Sequence, residues 1–362
     1  MLLAPSLAEI SEYLDERVRP IANTLDHDPE LLRMALGGLV DQGWMALRRP
    51  KAYGGPEVDE PTFRGFQELV ASTSGALAFL QTQHQSAVAM IAKSNNTEIM
   101  ARVLPSAHTR DGLIGIAFSQ LRRPGPPILT ATPEGEGYRI EGKAPWATGY
   151  GIFPWLHAAA VLPDGRAVFF LCPFRAQPGI EIGPIMQLSA MQAAQTVAID
   201  FNNYRVEARD VVDIKAEGWI FRNDLVNITL QGFFALGCAR AGIRIVSEAA
   251  ERSGADFLHE AHLALENELD DLRHRMHRAQ ATDGENTTSE KLGLRAHAIE
   301  LAVRCAHAGV VATSGAANSV QHPAQRIYRE ALVFSVSAQT GAIMEATLAR
   351  LVRRGQGIGD RR

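Results

Sequence analysis

The chain has few cysteines and no excess of charge of either sign, and both shortages exclude classes of protein. Its three cysteines are an odd number, stand far apart and lie among apolar residues, so neither a disulfide framework nor a zinc knuckle is predicted. The 36 basic and 40 acidic side chains give a net charge of −4, which offers no attraction to nucleic acid or to an anionic membrane. We therefore expect no nucleic-acid partner and no bound metal, with the cysteines in the core.

Long hydrophobic runs are also absent. No apolar run approaches the roughly 18 to 20 residues that a membrane-spanning helix requires. The opening segment "MLLAPSLAEI" has no basic start, and charged residues follow before the apolar core of a signal peptide is complete. We expect a cytoplasmic protein without a membrane partner. At 362 residues, the chain is long enough for two to three cooperating domains.

The hydrophobic period changes twice along the chain. Over residues 6–107 apolar residues recur every three or four positions, which predicts helices. From "DGLIGIAFS" to "TVAIDF" six short β-forming runs alternate with Gly and Pro turns, and the helical period returns at Trp219. The sequence thus predicts an α+β fold, mainly α. Its expected parts are an N-terminal helical domain over residues 1–110, a central β-domain over 111–216 and a C-terminal four-helix bundle over 217–362.

Two features of the C-terminal third predict its helices in more detail. A last long helix is predicted over residues 323–353. A bundle seam is predicted from apolar residues spaced at three and four: Leu292, Ala296, Ile299, Val303, Ala306 and Val310.

Four strings, in this order, resemble motifs of the acyl-CoA dehydrogenase superfamily: "KAYGG", "YRIEGKAPWATG", "QTVAIDFNNYRV" and "HPAQRIYREALVF". The resemblance covers nearly the whole chain. It implies the family's fold, with an N-terminal helical domain, a β-domain and a four-helix bundle. It also implies FAD as cofactor and assembly into a homodimer or homotetramer.

The resemblance assigns residues to the flavin as well. In the family, the flavin ring lies against two β-segments, and an aromatic face with nearby hydroxyl and backbone donors suits a ring that gains electrons. The residues at the corresponding positions are Ala117, Phe118, Ser119, Trp146, Ala147, Thr148, Ser314, Gly315 and Thr340.

The catalytic carboxylate of the family is missing from both of its usual places. The resemblance places these positions at Ala338 and Asn227, and neither side chain is a useful proton acceptor. Two other carboxylates are considered, Asp224 in "RNDLVN" and Glu330 after Arg329, and His84 in "QTQHQSAV" stands where the resemblance to the flavin-dependent monooxygenase branch implies a histidine facing the flavin. Each also has a structural interpretation: His84 as a hydrogen-bonded or solvated helical histidine, Asp224 as a helix cap and Glu330 as the partner of an arginine.

Three functions remain open. The first is oxidation of an acyl thioester, of coenzyme A or a carrier protein, by a non-standard base and with an electron-transfer partner. The second is a two-component monooxygenase that takes reduced flavin, FAD or FMN, from a reductase, because "HPAQRIYRE" resembles that branch of the superfamily. The third is a non-catalytic member for binding or assembly, because "SQLRRPGPP" and "ERSGADF" lack the family's phosphate and adenosine contacts.

Overall fold

The computed structural model describes residues 4–282 and 287–352. The chain divides into two compact units, of which the first contains the residues up to Phe66 and Ser74–Asn223. The second contains Gln67–Thr73 and the residues from Asp224 onward. Helices come first, then a sheet, then helices again, so the predicted mainly helical α+β fold is confirmed.

The helices of the first third begin at side-chain caps. Ser6 caps the first helix in a capping box with Glu9, and Asp28 caps the third just before Pro29. The helices are α1 (Leu7–Tyr13), α2 (Ala22–Leu25), α3 (Pro29–Asp41), α4 (Glu60–Thr73), α5 (Gly75–Ile91) and α6 (Thr97–Val103).

One mixed sheet forms the middle third. Its strands are β1 (Ile114–Ala117), β2 (Leu129–Glu134), β3 (Gly137–Ala147), β4 (Trp155–Val161), β5 (Ala167–Pro173), β6 (Ile180–Ile182), β7 (Val197–Val206) and β8 (Val211–Lys215). The strand order is β6-β7-β3-β2-β4-β5-β8, and β1 pairs with β4 in parallel. The six predicted β-forming runs correspond to β1 and to β3 through β7. The strands β2 and β8 were not predicted. The string "LTATPE" of β2 contains Pro133 and few apolar residues, so its pairing with β3 comes from the fold rather than from an apolar run.

The strands β4 and β5 are buried on both faces. Residues do not alternate between buried and exposed in this pair: five consecutive residues of β4 and six of β5 are buried. Strands covered on both sides read as continuous apolar runs. The helix α5 contacts β1, which lies next to β4, and it is itself buried over most of its length.

The helix α7 (Trp219–Val226) follows the sheet. The C-terminal helices are α8 (Gly232–Ser253), α9 (Asp256–Ala281), α10 (Thr287–Thr313), α11 (Pro323–Val336) and α12 (Gly341–Leu351). The prediction of one helix over residues 323–353 is wrong, and its last residue lies outside the described residues. The chain leaves the helix after Val336 because Ala338 adopts a left-handed conformation with φ of 47°. Thr340 then caps α12 by accepting a hydrogen bond from the amide of Ile343.

The helix α10 is central in the second unit. It contacts α8, α9, α11 and α12, and it is buried on more than one face. The predicted single seam is therefore wrong, since Leu292, Val303 and Val310 are only partly buried while Arg295 and Glu300 are buried. Small residues allow this packing: a Cβ on Gly242 of α8 would lie 2.5 Å from the carbonyl carbon and oxygen of Cys305 on α10.

Two further predictions concern the cysteines and membrane-spanning helices. The three cysteines are buried, and burial raises the pKa of each thiol, as expected for core residues rather than reactive thiolates. Within residues 4–282 and 287–352, no helix combines the length and the apolar character that a membrane span needs.

Candidate active site

Trp146 is turned toward the surface by a bulge near the end of β3. The register between β3 and β7 shifts between Ala144 and Ala147, so that β3 has one residue more than its partner. Pro145 lies in this bulge, where its missing N–H is not needed for a ladder hydrogen bond. The indole of Trp146 is 40% exposed as a result, although the neighbouring Ala147 is fully buried.

The other predicted β-segment lies beside this one. Both β1 and the short 3-10 turn Ser119–Arg122 contact β3. Ser119 is exposed, whereas Ala117 and Phe118 are buried. Of the six residues predicted on this unit, Ser119 and Trp146 are therefore the two whose side chains are exposed.

Thr148 directs its hydroxyl into the protein. Its Oγ1 lies 3.1 Å from Oγ1 of Thr196, and the residue is almost fully buried. The next residue, Gly149, has φ of 95°, and a Cβ there would lie 2.3 Å from the ring of Phe153. Only glycine fits this turn without strain. The amides of Gly149 and Tyr150 donate to the carbonyls of Ala194 and Gln195, at 2.8 and 3.1 Å.

The loop that supports this turn is itself strained. Met191 and Gln195 both adopt left-handed conformations, with φ of 58° and 50°. The buried carboxylate of Asp26 accepts a hydrogen bond of 2.6 Å from the Met191 amide, and the carbonyl of Asp26 accepts one of 3.0 Å from Ala193. Sequence reasoning missed Asp26, because a single acidic residue at the end of a helix gives no sign of such a contact.

His84 is fully buried on α5, and both of its ring nitrogens have backbone partners. Nε2 donates to the carbonyl of Ala107 at 2.7 Å, and Nδ1 accepts from the amide of Ile114 at 3.0 Å. Burial lowers the pKa of His84 to about 4, against the opposing effect of the Ala107 carbonyl. This ring is neutral near pH 7 and joins α5 to the start of the sheet.

His157 on β4 is a second buried histidine, which sequence reasoning did not single out. Its ring lies 6.0 Å from that of Phe118 and 5.6 Å from that of Phe169. Neither ring nitrogen has a hydrogen-bond partner in the part of the chain that the structure describes. Burial lowers the pKa of His157 to about 3, so this side chain is also neutral near pH 7.

The two positions of the missing carboxylate lie outside helices. Ala338 lies in the linker of residues 337–340 between α11 and α12, and it is exposed. The resemblance implies that Asn227 stands on the first long helix of the C-terminal domain, and this is wrong: Asn227 follows the end of α7, and the first long helix, α8, begins at Gly232. Asp224 lies on α7 and is partly exposed.

The remaining predicted cofactor residues lie on the second unit. Ser314 and Gly315 begin the exposed 3-10 turn Ser314–Asn318 after α10, and a Cβ on Gly315 would meet no atom within 4 Å. Thr340 acts as the cap of α12. Glu330, which follows Arg329, is fully buried and pairs with Arg326 at 2.8 Å, as its structural interpretation requires.

The chain matches one family in its first third. Residues 6–111 match the family described as acyl-CoA dehydrogenase, N-terminal domain. The chain is 24% identical over 222 residues to cyclohexane-1-carbonyl-CoA dehydrogenase of Syntrophus aciditrophicus. This alignment covers 58% of the chain and 56% of that enzyme, so it spans little more than half of either protein.

Solved structures match over nearly the whole chain. A glutaryl-CoA dehydrogenase from Mycobacterium smegmatis in complex with FADH2 superposes with a TM-score of 0.78 at 16% identity, covering 96% of this chain and 93% of that one. A dibenzothiophene monooxygenase from Paenibacillus sp. A11-2 superposes with a TM-score of 0.76 at 17% identity, covering 96% of each chain. At these identities the likeness shows the fold alone.

The fold and the family match both agree with the resemblance. The resemblance seen in four short strings is confirmed: the chain has the fold of the acyl-CoA dehydrogenase superfamily. The family match is confined to residues 6–111.

Proposed function

We propose that this protein is a flavin-dependent oxidoreductase of the acyl-CoA dehydrogenase type, with FAD as its cofactor. The observation that carries the proposal is the surface indole of Trp146, turned outward beside the segment that presents the hydroxyl of Ser119. A flat aromatic surface with a nearby hydroxyl and backbone donors suits a flavin ring. The glutaryl-CoA dehydrogenase from Mycobacterium smegmatis, which shares this fold, was solved in complex with FADH2, and this agrees with the choice of FAD.

The residues of the first unit fit a flavin in part. Trp146 would cover the ring, and Ser119 would form a hydrogen bond at its edge. Thr148 would contribute its backbone, because its hydroxyl is already paired with Thr196. The flavin, when bound, supplies two-electron redox chemistry. We extend the proposal to Ala117, Phe118 and Ala147, which would supply backbone and apolar contacts on the same surface. The resemblance also assigns Ser314, Gly315 and Thr340 to the cofactor, and their part in binding stays a prediction.

The proposed substrate is an acyl thioester, of coenzyme A or a carrier protein, or a related carbonyl compound. The relative from Syntrophus aciditrophicus is named for dehydrogenation of a coenzyme A thioester. Removal of an α-proton needs a base within hydrogen-bond reach, and Ala338 and Asn227 are not bases. His84 is unsuited because both ring nitrogens are engaged and it is fully buried. Asp224 on α7 is the remaining candidate base.

We also propose partners for this reaction. An oxidoreductase of this type passes its electrons to a second protein, so an electron-transfer partner is expected. Assembly into a homodimer or homotetramer belongs to the same proposal, as the resemblance implies.

A two-component monooxygenase is the second candidate. The string "HPAQRIYRE" favours it, and the dibenzothiophene monooxygenase shows that a monooxygenase has this fold. In this case the protein would bind reduced FAD or FMN supplied by a reductase. The reaction would then not depend on a carboxylate at positions 338 and 227. A third candidate, a non-catalytic protein for binding or assembly, is favoured by the absence of a carboxylate at positions 338 and 227.

The decisive experiment is an absorbance spectrum of the freshly purified full chain, with chromatography of any flavin released on denaturation. Stoichiometric FAD would support the dehydrogenase-type proposal, and a screen of acyl thioesters would follow. A colourless protein that binds only reduced flavin in an anaerobic titration would favour the monooxygenase. No saturable binding of FAD or FMN in either redox state would overturn both and leave the non-catalytic function.

A further inference from the structure

Arg295 on α10 is a fully buried arginine without an acidic partner among the described residues. Its side chain has 0% exposure, and its hydrogen bond runs from Nη2 to the carbonyl of Ser337 at 3.0 Å. Within residues 4–282 and 287–352, Nε and Nη1 have no hydrogen-bond partner. A charged group removed from water without a counterion is strongly unfavourable, so this side chain requires an explanation.

Two other arginines of the same unit are paired. The buried Arg326 donates to Glu330 at 2.8 Å, and the partly buried Arg273 donates to the carboxylate of Glu68 through Nε and Nη2. The unit thus provides carboxylates for both of these arginines. At Arg295 the protein provides one backbone carbonyl, which carries no full charge.

The segment that faces Arg295 is the linker of residues 337–340, and it leads into the N-terminal end of α12. That end carries the partial positive charge of the helix dipole, and Thr340 accepts from one of its first amides, that of Ile343. Ala338 and Gly341 are exposed, and a Cβ on Gly341 would meet no atom within 4 Å. The buried guanidinium thus contacts the first residue of this linker, and there is open space at Gly341 beyond its other end.

We propose that Arg295 and the N-terminal end of α12 form a binding site for the carboxylate of a small organic acid. The unpaired guanidinium nitrogens supply charged donors, and the planar group matches a carboxylate in shape. Because the Ser337 carbonyl accepts from the guanidinium, the acid would enter as residues 337–340 shift outward. This site goes beyond the proposed function, because its occupation does not require a flavin.

The test is thermal unfolding of the full chain without added flavin, in a titration with sodium acetate. Acetamide, with sodium chloride added to equal ionic strength, is the neutral counterpart. We expect acetate to raise Tm by about 2 °C at ten times its dissociation constant, and above that concentration Tm should rise with the logarithm of the acetate concentration. Acetamide is expected to leave Tm unchanged. A Tm that rises in proportion to acetate concentration, or that acetamide raises equally, would overturn the proposal.

Three variants complete the test. Arg295→Met removes the charge but keeps an apolar side chain of similar length, and we expect it to fold and to lose the acetate response. Arg295→Lys keeps the charge without the planar group and should retain a weaker response. Arg252→Gln, which removes an exposed arginine of α8, should respond as the parent protein does. An undiminished acetate response in Arg295→Met would contradict the proposal. A methionine variant that fails to fold would also contradict it, since the guanidinium would then have a structural partner.

Discussion

At the scale of single residues, burial decides which side chains keep a charge. His84 has a folded-state pKa lowered to about 4, below the ordinary value of 6.5. Between these values the unfolded chain binds a proton that the folded protein does not. The stability that His84 contributes is therefore fully present above pH 6.5 and is lost as the pH falls toward 4.

The first prediction follows from that sign. His84→Gln replaces the ring by an amide that can donate to Ala107 and accept from Ile114 but has no charge to gain. We expect the parent protein to lose about 2 kcal/mol more unfolding free energy than the variant between pH 7 and pH 5. Urea unfolding at both pH values measures the difference. His157 is present in both proteins, so its own pH dependence cancels in the comparison. Equal losses of unfolding free energy in the parent and the variant would show that His84 is not held neutral.

The second prediction concerns Trp146. We expect Trp146→Ala to weaken flavin binding about tenfold, because an aromatic stacking contact contributes about 1 kcal/mol or more. Trp155 on β4 is the matched control: its indole is 38% exposed and donates through Nε1 to the carbonyl of Asp111. Trp155→Ala should leave the flavin dissociation constant unchanged in fluorescence titrations. If the two variants weaken binding equally, Trp146 has no special role in it.

At the scale of elements, two glycines of the helical unit differ in what surrounds them. Gly242 of α8 faces the backbone of α10 at Cys305, and an added Cβ would lie at 2.5 Å. Gly293 lies within α10, and an added Cβ there would meet no atom within 4 Å. Substitution by alanine should therefore lower the free energy of unfolding at Gly242 and raise it at Gly293.

We expect Gly242→Ala to destabilise the protein by about 2 kcal/mol or more, because the two helices must separate. Gly293→Ala should stabilise it by about 0.5–1 kcal/mol through the higher helix propensity of alanine. Chemical unfolding of both variants measures the contrast. A stabilised Gly242→Ala variant would show that α8 and α10 do not approach so closely.

At the scale of the whole molecule, residues 67–73 of α4 belong to the same compact unit as the C-terminal helices, although they are far away in sequence. Glu68 makes this connection: its buried carboxylate accepts hydrogen bonds from Arg273 at 2.8–3.0 Å and lies 3.0 Å from Arg240. Gly237 lets the helices approach, since a Cβ there would lie 2.3 Å from the Glu68 carbonyl.

We expect Glu68→Gln to destabilise the protein by about 3 kcal/mol, because it removes the buried carboxylate that pairs with Arg240 and leaves Arg273 with Asp270 alone. Glu248→Gln is the control, since its pairing with Arg252 is long and exposed and should matter by less than about 0.5 kcal/mol. Thermal and chemical unfolding of both variants would test this difference. Equal stability of the two variants would contradict a structural role for the Glu68 pairs.

Much of the fold was predictable from the sequence. The change from a helical period to short β-forming runs and back gave the order of the elements, because each type of element buries one face at its own spacing. The bulge that turns Trp146 outward was not predicted, although Pro145 lies in it. The last helix was predicted as one element because the apolar spacing continues across residues 337–340, although Thr340 and Gly341 form a recognisable helix start.

The sequence by itself determined the order of helices and strands, the caps and the absence of a carboxylate at positions 338 and 227. These depend on neighbouring residues or on residue identity alone. Only the tertiary structure decided that both nitrogens of His84 are engaged, that the hydroxyl of Thr148 faces Thr196, and that α10 is buried on several faces. It also left Arg295 buried without a carboxylate among the described residues. These outcomes depend on contacts between residues far apart in the chain, which no local pattern specifies.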